Sequence, residues 1–589
     1  MKRAEKINKR WIINLKNKWG LDELIEVPTS LEECEVKVNQ SWETFREVKA
    51  NSPELRDHFL DLLIREAEAK DDFESKATVR RLKGIRKNEK SRESHQRVRY
   101  SSGKGNSKGV KFIHHEREDG TIETVSDKHR MVELIMEKNA EKLTQSNAPG
   151  IPLRQQPLLD LLGRHDYDKW ESFIRGEIDI PAGLEEGTEA WLKVFHGMDL
   201  TQDIDMTCDH TELIKAWSKV KEKTSSLPHP IHYGTMKTMK WCQMAAKFHT
   251  IMANIPLVTG YSPKSWQHDV EAMLQKKDNE WRPDKLRRIS LLHPAFNMNN
   301  RRIGRLAMKA AEKRNLLAEE QFGSRKKRSA EKHALNKRLL LDVMRISRTP
   351  GILSANDAKS CYDRILHFAT YVSMRRVGVP KEAVVSMIHT LRNMEHKVRT
   401  AYGDSEATYG GDDDDDPHGA SQGNAAGPAI WALVSSPLLD ILREKGYGAE
   451  FISPIKREFF LMCGFAFVDD TDTIQTADVG TPSEALLAIT QEGLDLWESL
   501  IRSTGGAIVG EKSDFTVINW TWRDGRPKYE KSNPELKLSV LNEHGVREDL
   551  EHLPTNVARR TLGVWQAADG NEKRQTEELR KKTRNGQMR

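Results

Sequence analysis

The chain has 589 residues and a formal net charge of +6, which is enough length for three or more domains with a substantial core. Its five cysteines have no paired spacing, so we expect neither a disulfide framework nor a zinc knuckle, and no zinc. It has no run of about 18 apolar residues, and its basic N-terminus lacks the apolar stretch of a signal peptide. These features argue against a membrane or secreted protein and predict an intracellular one.

Positive charge is concentrated in two tracts. Residues 76–108 hold 12 basic and 2 acidic residues, and residues 282–348 hold 19 basic and 6 acidic residues. Because the whole chain carries only +6, the remainder must be negative. Such tracts suit a phosphate backbone and predict salt-dependent nucleic-acid binding. A solvated charged helix is an alternative explanation of the first tract.

The first predicted elements are helices and a hairpin. Residues 1–75 are predicted to be helical and mixed in charge. Residues 112–143 predict a strand, a turn at Asp119-Gly120, a second strand and an amphipathic helix, since Asp-Gly is a strong hairpin signal. Residues 150–260 are predicted to be mostly helical.

An aspartate follows a short apolar strand in the middle of the chain. Residues 352–355 lead to Asp357, and helical spacing over residues 364–377 stops at Gly378 and Pro380. Asp357 is therefore predicted to lie at the end of a strand, before a helix.

A Gly-rich segment, residues 419–428, precedes a predicted apolar helix over residues 429–442. Its small residues, around Gln422-Gly423, would let the backbone approach a ligand closely. Pro428 near the helix start gives an equally good explanation as a capping segment.

Two adjacent carboxylates end the next apolar strand. The apolar run over residues 459–468 is followed by Asp469 and Asp470, and polar residues then alternate through Gln475, which predicts a hairpin with the carboxylates at its tip. Like charges side by side repel one another unless a cation screens them. An ordinary acidic turn is the alternative for an isolated pair, so the interpretation depends on its context.

Asp357 supplies that context. If its strand lies beside the hairpin, Asp357 and Asp469 can face one pocket and hold two divalent cations about 3.5–4 Å apart. Magnesium suits an oxygen-only ligand set, and Mn²⁺ could substitute for it. The sequence therefore predicts a site for two magnesium ions that serves phosphoryl transfer.

Together, the strand with Asp357, the Gln-Gly loop and the Val-Asp-Asp hairpin resemble the reverse transcriptase family, most closely the LINE-like (non-LTR) retrotransposon polymerases. The resemblance runs from about residue 110 to the C-terminus. It implies an α+β right-hand polymerase fold, with fingers and an antiparallel palm sheet flanked by helices. It also implies an RNA-directed DNA polymerase that binds an RNA template, a DNA primer and deoxynucleoside triphosphates.

The resemblance implies an order of domains along the chain. A charged helical region with the basic tract is expected at 1–110 and a helical N-terminal extension at 111–225. Fingers are expected at 226–345, the palm at 346–570 and the start of a truncated thumb at 571–589.

The resemblance also assigns roles to single residues. Asp357, Asp469 and Asp470 would be catalytic metal ligands, and Lys512 would protonate the leaving diphosphate, although a solvated surface lysine is as good an explanation of it. Tyr362 would exclude the ribose 2′-hydroxyl, with a core aromatic as the alternative. The other implied residues are the nucleotide- or template-binding Lys276, Lys277, Arg288, Arg325, Gln422 and Gly423, and the primer-grip turn Leu562-Gly563-Val564.

Two further functions stay open. An RNA-dependent RNA polymerase is disfavoured by Tyr362, because RNA-copying viral enzymes usually place an acidic residue near that position. A catalytically impaired, truncated retroelement remnant could bind nucleic acid only. LINE-like elements prime on chromosomal DNA, so the resemblance implies a nuclear location.

Overall fold

The computed structural model describes residues 109–584 apart from residues 118, 201–202, 222–223, 225–226, 228–232, 234–236, 238–242, 278, 412–415, 454, 532 and 534, together with residues 68, 79, 80 and 83. The predicted helices of residues 1–75 and the first basic tract therefore lie almost entirely outside the described residues.

The structure is mixed α and β, 44% helical and 19% strand, with small mixed sheets, which confirms the α+β class. Its helices are α1 Lys128–Thr144, α2 Leu158–Leu162, α3 Tyr167–Ile174, α4 Glu186–Phe195, α5 His210–Ser218, α6 Gln243–Thr259, α7 Pro294–Lys313, α8 Ala330–Ser347, α9 Cys361–Arg364, α10 His367–Arg376, α11 Lys381–Arg392, α12 Gly427–Glu444, α13 Ser483–Ser503 and α14 Lys573–Arg584. No helix among the described residues is long and apolar enough to cross a membrane.

The strands are short, as the following bounds show: β1 Ile113–Glu116, β2 Ile122–Val125, β3 His268–Gln275, β4 Leu286–Leu291, β5 Gly351–Asp357, β6 Glu395–Thr400, β7 Gly403–Asp404, β8 Ala449–Ile452, β9 Phe459–Met462, β10 Gly464–Phe467, β11 Asp470–Thr476, β12 Asp514–Ile518, β13 Trp520–Arg523, β14 Arg526–Tyr529, β15 Ser539–Leu541, β16 Arg547–Asp549, β17 Glu551–His552, β18 Arg559–Thr561 and β19 Val564–Gln566.

The chain forms two compact units that alternate along the sequence. Unit 1 comprises Met1–Thr144, Asp203–Leu306 and Gly378–Gly427, and unit 2 comprises Gln145–Gln202, Ala307–Val377 and Pro428–Arg589.

Unit 1 contains the predicted N-terminal hairpin. Strands β1 and β2 pair antiparallel, the Asp119 carboxylate accepts the Thr121 N–H at 2.9 Å, and Gly120 has a φ of 79°. The hairpin followed by helix α1 confirms the prediction for residues 112–143. A four-stranded sheet, in the order β4-β3-β6-β7, completes the strands of this unit that the structure describes.

Unit 2 is built around a five-stranded sheet in the order β10-β11-β5-β12-β17. Neighbouring strands are antiparallel except for β12 and β17. Helix α8 covers one face with Leu340, Leu341 and Met344, which belong to the same core cluster as Phe465 and Ile474. This apolar contact fixes which face of the sheet is buried, because side chains alternate between faces along each strand.

The helix predicted over residues 364–377 is interrupted. It forms as α9 and α10, because the Leu366 N–H donates to the Thr504 carbonyl at 2.9 Å and not within a helix. The Arg364 Nε also donates to the Gly505 carbonyl at 2.9 Å. These contacts hold the segment after β5 against the end of α13.

Candidate metal centre

The strand register brings two of the predicted carboxylates side by side. Asp470, the first residue of β11, is the direct cross-strand partner of Asp357, the last residue of β5. Side chains of direct partners point to the same face, with Cβ atoms about 4.5–5.5 Å apart. Asp469 belongs to the two-residue turn between β10 and β11, immediately before Asp470. Strand pairing therefore gathers residues more than one hundred positions apart at one sheet edge.

The carboxylates of Asp357, Asp469 and Asp470 do not form an enclosed set of metal ligands. Asp469 and Asp470 are exposed, and the Asp357 side chain is 42% exposed. Among the described residues, the one group of three metal-ligating side chains with donor atoms all within 4.8 Å lies elsewhere, at Asp269, Glu271 and His396. Exposed aspartates change χ angles at little cost, so these side chains can reorient toward a bound cation.

Further acidic residues extend along the same sheet face. Asp472 and Asp514 flank Ala355 as its cross-strand partners on either side. Both are neutralised by cations, since Lys337 Nζ lies 2.7 Å from Asp472 Oδ2 and Arg559 Nη1 lies 3.0 Å from Asp514 Oδ2. Asp472 and Asp514 therefore have cationic partners within the protein. Asp469 and Asp470, at the edge of the sheet, are exposed to solvent.

The Asp470 carboxylate is repelled by the neighbouring carboxylates. Partial burial, followed by the carboxylates of Asp469, Asp472 and Asp357, raises the pKa of Asp470 from 3.8 to about 6. A divalent cation would relieve this repulsion, and an oxygen-only donor set suits magnesium. The residues present therefore fit the predicted metal.

Cation affinity at this site is expected to fall in mild acid. A proton on Asp470 competes with the metal, so the Mg²⁺ concentration that half-saturates the protein should rise as pH falls through about 6. Without metal, the raised pKa makes the folded state less stable as pH rises through that value. Isothermal titration of the full chain between pH 5 and 8 measures the first effect. Asp470→Asn is the control and should flatten the profile; an unchanged profile would contradict the assignment.

Lys512 lies beside Asp357. Its Nζ is 3.6 Å from Asp357 Oδ2, and the lysine side chain is 67% exposed. The backbone around it is fixed, because the Asp357 N–H donates to Ser513 Oγ at 3.1 Å and the Val509 N–H donates to the Asp357 carbonyl at 3.0 Å. The structure thus brings Lys512 to the carboxylates, with its ammonium group accessible from solvent.

Tyr362 lies close to the hairpin tip on α9. Its side chain is half-buried, and burial, followed by the Cys361 thiol and the Asp469 carboxylate, raises its pKa. The ring is therefore neither fully exposed nor fully enclosed. The exclusion of a ribose 2′-hydroxyl by Tyr362 stays a prediction.

The predicted primer-grip turn is a two-residue hairpin. Leu562 and Gly563 have φ values of 50° and 87° and connect β18 to β19, with Val564 opening β19. This hairpin is tied to the acidic sheet face through Arg559, and Lys337 Nζ lies 3.5 Å from Thr561 Oγ1. The turn itself is confirmed, and its contact with a primer stays a prediction.

The structure gives Arg325 an internal partner. Its Nε and Nη2 donate to the two carboxylate oxygens of Glu312 at 2.9 and 3.0 Å, and its Nη1 donates to the Ala318 carbonyl at 2.7 Å. The side chain is nearly buried. Arg325 therefore joins the end of α7 to the following loop, which corrects the expectation that it reaches template or nucleotide.

The remaining predicted substrate residues belong to unit 1. Lys276 and Lys277 are exposed in the connection between β3 and β4. The Gln422 carbonyl accepts the Ser290 N–H at 2.7 Å, and a Cβ on Gly423 would lie 2.1 Å from the Ser290 carbonyl oxygen. Gly423 thus permits close approach to the backbone of β4, where the sequence suggested approach to a ligand.

The predicted contact of Arg288 with a nucleoside triphosphate is wrong. It is 2% exposed and donates to Glu271 Oε1 at 2.8 Å, so its guanidinium is enclosed and does not face a triphosphate. The neighbouring Arg287 is exposed, because adjacent strand residues face opposite sides. Strict two-residue alternation along β4 would have identified Arg287 as the accessible residue.

The buried cluster around Arg288 is less suited to a metal than its ligand types suggest. His396 Nδ1 lies 2.8 Å from Asp269 Oδ1, and the pKa of His396 is raised because Asp269 and Glu271 outweigh the opposing effect of burial. Burial also raises the pKa of Glu271, although Arg288 opposes this. Arg288 already supplies positive charge here, and a divalent cation would meet like charge.

Sequence reasoning assigned no role at the candidate metal centre to three residues. They are Lys337, Arg559 and Gln321, which contact the acidic face or the hairpin turn. Comparison of the chain with protein-family models and with curated proteins found no match.

Proposed function

We propose that the chain is an RNA-directed DNA polymerase of the LINE-like type, in which the five-stranded sheet is the palm of a right-hand polymerase fold. The direct pairing of Asp357 with Asp470, next to Asp469 in the hairpin turn, is the observation that carries this proposal. A site of accessible oxygen ligands on a rigid sheet is suited to phosphoryl transfer, since that chemistry depends mainly on positioning and charge stabilisation.

The three aspartates would hold two magnesium ions. When bound, the ions supply activation of the primer 3′-hydroxyl and neutralisation of the leaving diphosphate. The 3′-hydroxyl loses its proton to water, and its oxygen forms a bond to the α-phosphorus as the bond from that phosphorus to the diphosphate oxygen breaks. Lys512 lies 3.6 Å from Asp357 and is accessible, so its ammonium group can give a proton to the departing diphosphate.

Tyr362 supports DNA over RNA as the product. Its half-buried ring lies near Asp469, where a bulky group would clash with a ribose 2′-hydroxyl. Rejection by steric clash needs no hydrogen bond to the correct sugar. Within unit 1, Lys276, Lys277 and the Gln422-Gly423 loop are further proposed substrate contacts. Within unit 2, the Leu562-Gly563-Val564 turn is the proposed primer contact.

Primer extension tests the proposal directly. The purified full chain is given an RNA template, a DNA primer and Mg²⁺, with either deoxynucleotides or ribonucleotides. Deoxynucleotide incorporation that is abolished by EDTA is expected. Extension with ribonucleotides alone would indicate an RNA-dependent RNA polymerase, and nucleic-acid binding without any extension would indicate the non-catalytic alternative.

Replacing Tyr362 by valine is expected to raise the ribonucleotide-to-deoxynucleotide incorporation ratio by about tenfold or more, because the steric barrier is removed. The same primer-extension assay measures the ratio. Tyr447→Val is the matched control, since Tyr447 is another half-buried tyrosine of unit 2 and should leave the ratio unchanged. Equal ratios in wild type and Tyr362→Val would contradict the role of Tyr362.

A further inference from the structure

The turn that carries Asp469 has an unfavourable backbone conformation. Val468 has a φ of 58°, which a β-branched residue rarely adopts. Turns of this length favour glycine, asparagine or aspartate at positive φ. Such a conformation persists only when surrounding groups enforce it, and it is found most often at functional sites.

Gln321 holds both polar backbone groups of Val468. Its Oε1 accepts the Val468 N–H at 3.0 Å, and its Nε2 donates to the Val468 carbonyl at 3.3 Å. The same amide accepts the Gly323 N–H at 2.8 Å and donates to Ser435 Oγ at 3.0 Å. The residue is fully buried. Because both ends of the amide are engaged, its orientation is fixed by its surroundings.

Other contacts reinforce the same turn. Trp431 Nε1 donates to the Val468 carbonyl at 2.5 Å. A Cβ on Gly323 would lie 2.3 Å from the Val468 backbone nitrogen, so the chain around Gln321 packs directly against the turn. The Phe322 N–H donates to the Ala466 carbonyl at 2.8 Å, which joins this chain segment to β10. The turn is therefore held from one side by a preformed set of donors and acceptors.

We infer that Gln321 is a positioning residue for the metal centre, which fixes the Val468-Asp469 turn and so directs the Asp469 carboxylate toward Asp357. The inference rests on the proposed function for the identity of the reaction, and on the turn geometry for its effect on cation binding. Gln321 thereby has a role distinct from the nucleotide or template contact that the family resemblance implies for Arg325.

Gln321→Met tests this inference, because methionine has similar length and removes all four hydrogen bonds. The dissociation constant for Mn²⁺, measured on the full chain by electron paramagnetic resonance, is expected to rise about tenfold, as it does when groups that orient metal ligands are lost. The Mg²⁺ concentration for half-maximal primer extension should rise in parallel. The KM for deoxynucleotide should stay within about twofold of wild type, since Gln321 orients a metal ligand and makes no nucleotide contact.

A second substitution distinguishes positioning from simple loss of stability. Glycine adopts positive φ readily, so Val468→Gly removes the need for enforcement. The double variant Gln321→Met with Val468→Gly is expected to regain part of the Mn²⁺ affinity. Trp431→Phe, which removes one hydrogen bond to the same carbonyl, should show a smaller loss of affinity and remains informative if Gln321→Met fails to fold.

Gln491→Met is the matched control. The Gln491 amide holds the Ser539 backbone in the same way, with the Ser539 N–H at 3.0 Å and the Ser539 carbonyl at 2.9 Å. It should lower the thermal midpoint without changing Mn²⁺ affinity. Wild-type Mn²⁺ affinity in Gln321→Met, or equal weakening in both variants, overturns the inference. A third outcome is that Gln321→Met weakens Mn²⁺ binding but the wild-type chain extends no primer. That result would overturn the polymerase proposal and leave the positioning role of Gln321 standing.

Discussion

Replacing Asp469 by asparagine is expected to lower deoxynucleotide incorporation by about a thousandfold or more. The asparagine is nearly isosteric but loses the charge that would hold the cation, and a catalytic metal contributes several kcal/mol to transition-state stabilisation. Since about 1.4 kcal/mol corresponds to a tenfold change in rate, losing such a contribution removes almost all activity. Single-nucleotide primer extension under excess enzyme measures the chemical step.

Asp524→Asn is the control for this loss. Asp524 also lies in a tight hairpin turn of unit 2, between β13 and β14, and has a φ of 51°. It faces solvent and has no place in the proposed chemistry, so its replacement should leave incorporation unchanged. Equal incorporation by wild type and Asp469→Asn would identify the activity as a contaminant and remove the central support of the polymerase proposal.

Replacing Arg288 by methionine is expected to lower the free energy of unfolding by about 3–5 kcal/mol, because removal of one partner leaves a buried charge uncompensated. Glu271 would keep hydrogen bonds from Asn139 Nδ2 at 2.9 Å and Tyr409 Oη at 2.5 Å but lose its guanidinium partner. Urea unfolding followed by circular dichroism measures the change. Because a chain of two units need not unfold in a single step, the transition that shifts in the variant is the relevant one.

Arg287→Met separates a specific ion pair from a general effect of lost positive charge. Arg287 is adjacent in the same strand and exposed, so the change should fall within about 0.5 kcal/mol. A stable Arg288→Met variant with a raised KM for deoxynucleotide would instead restore the triphosphate contact that the sequence suggested.

The hairpin and the strand before Asp357 could be predicted because their signals are local. Two-residue alternation and an Asp-Asp pair at a strand end define the turn, and the apolar run at 352–355 defines β5. Pairing of these strands followed from the need to bury one face of each, although the register itself required the fold.

The residues that organise the site could not be predicted from the sequence, because their partners lie far away along the chain. Lys337 contacts Asp472 across 135 positions and Gln321 contacts Val468 across 147. A lysine in a helix with many charged neighbours, or one glutamine in a loop, gives no local sign of such a partner. Arg288 was assigned to the triphosphate from the family resemblance, without the two-residue alternation that separates it from the exposed Arg287.

Asp472 and Asp514 are paired with buried or half-buried cations, whereas Asp469 and Asp470 are exposed, which implies that divalent ions should act as stabilising ligands of the folded chain. Any species that binds only the native state raises its melting temperature in proportion to the logarithm of its concentration above the dissociation constant. A thermal-shift series with MgCl₂, set against NaCl at matched ionic strength, would therefore detect occupancy without template, primer or nucleotide.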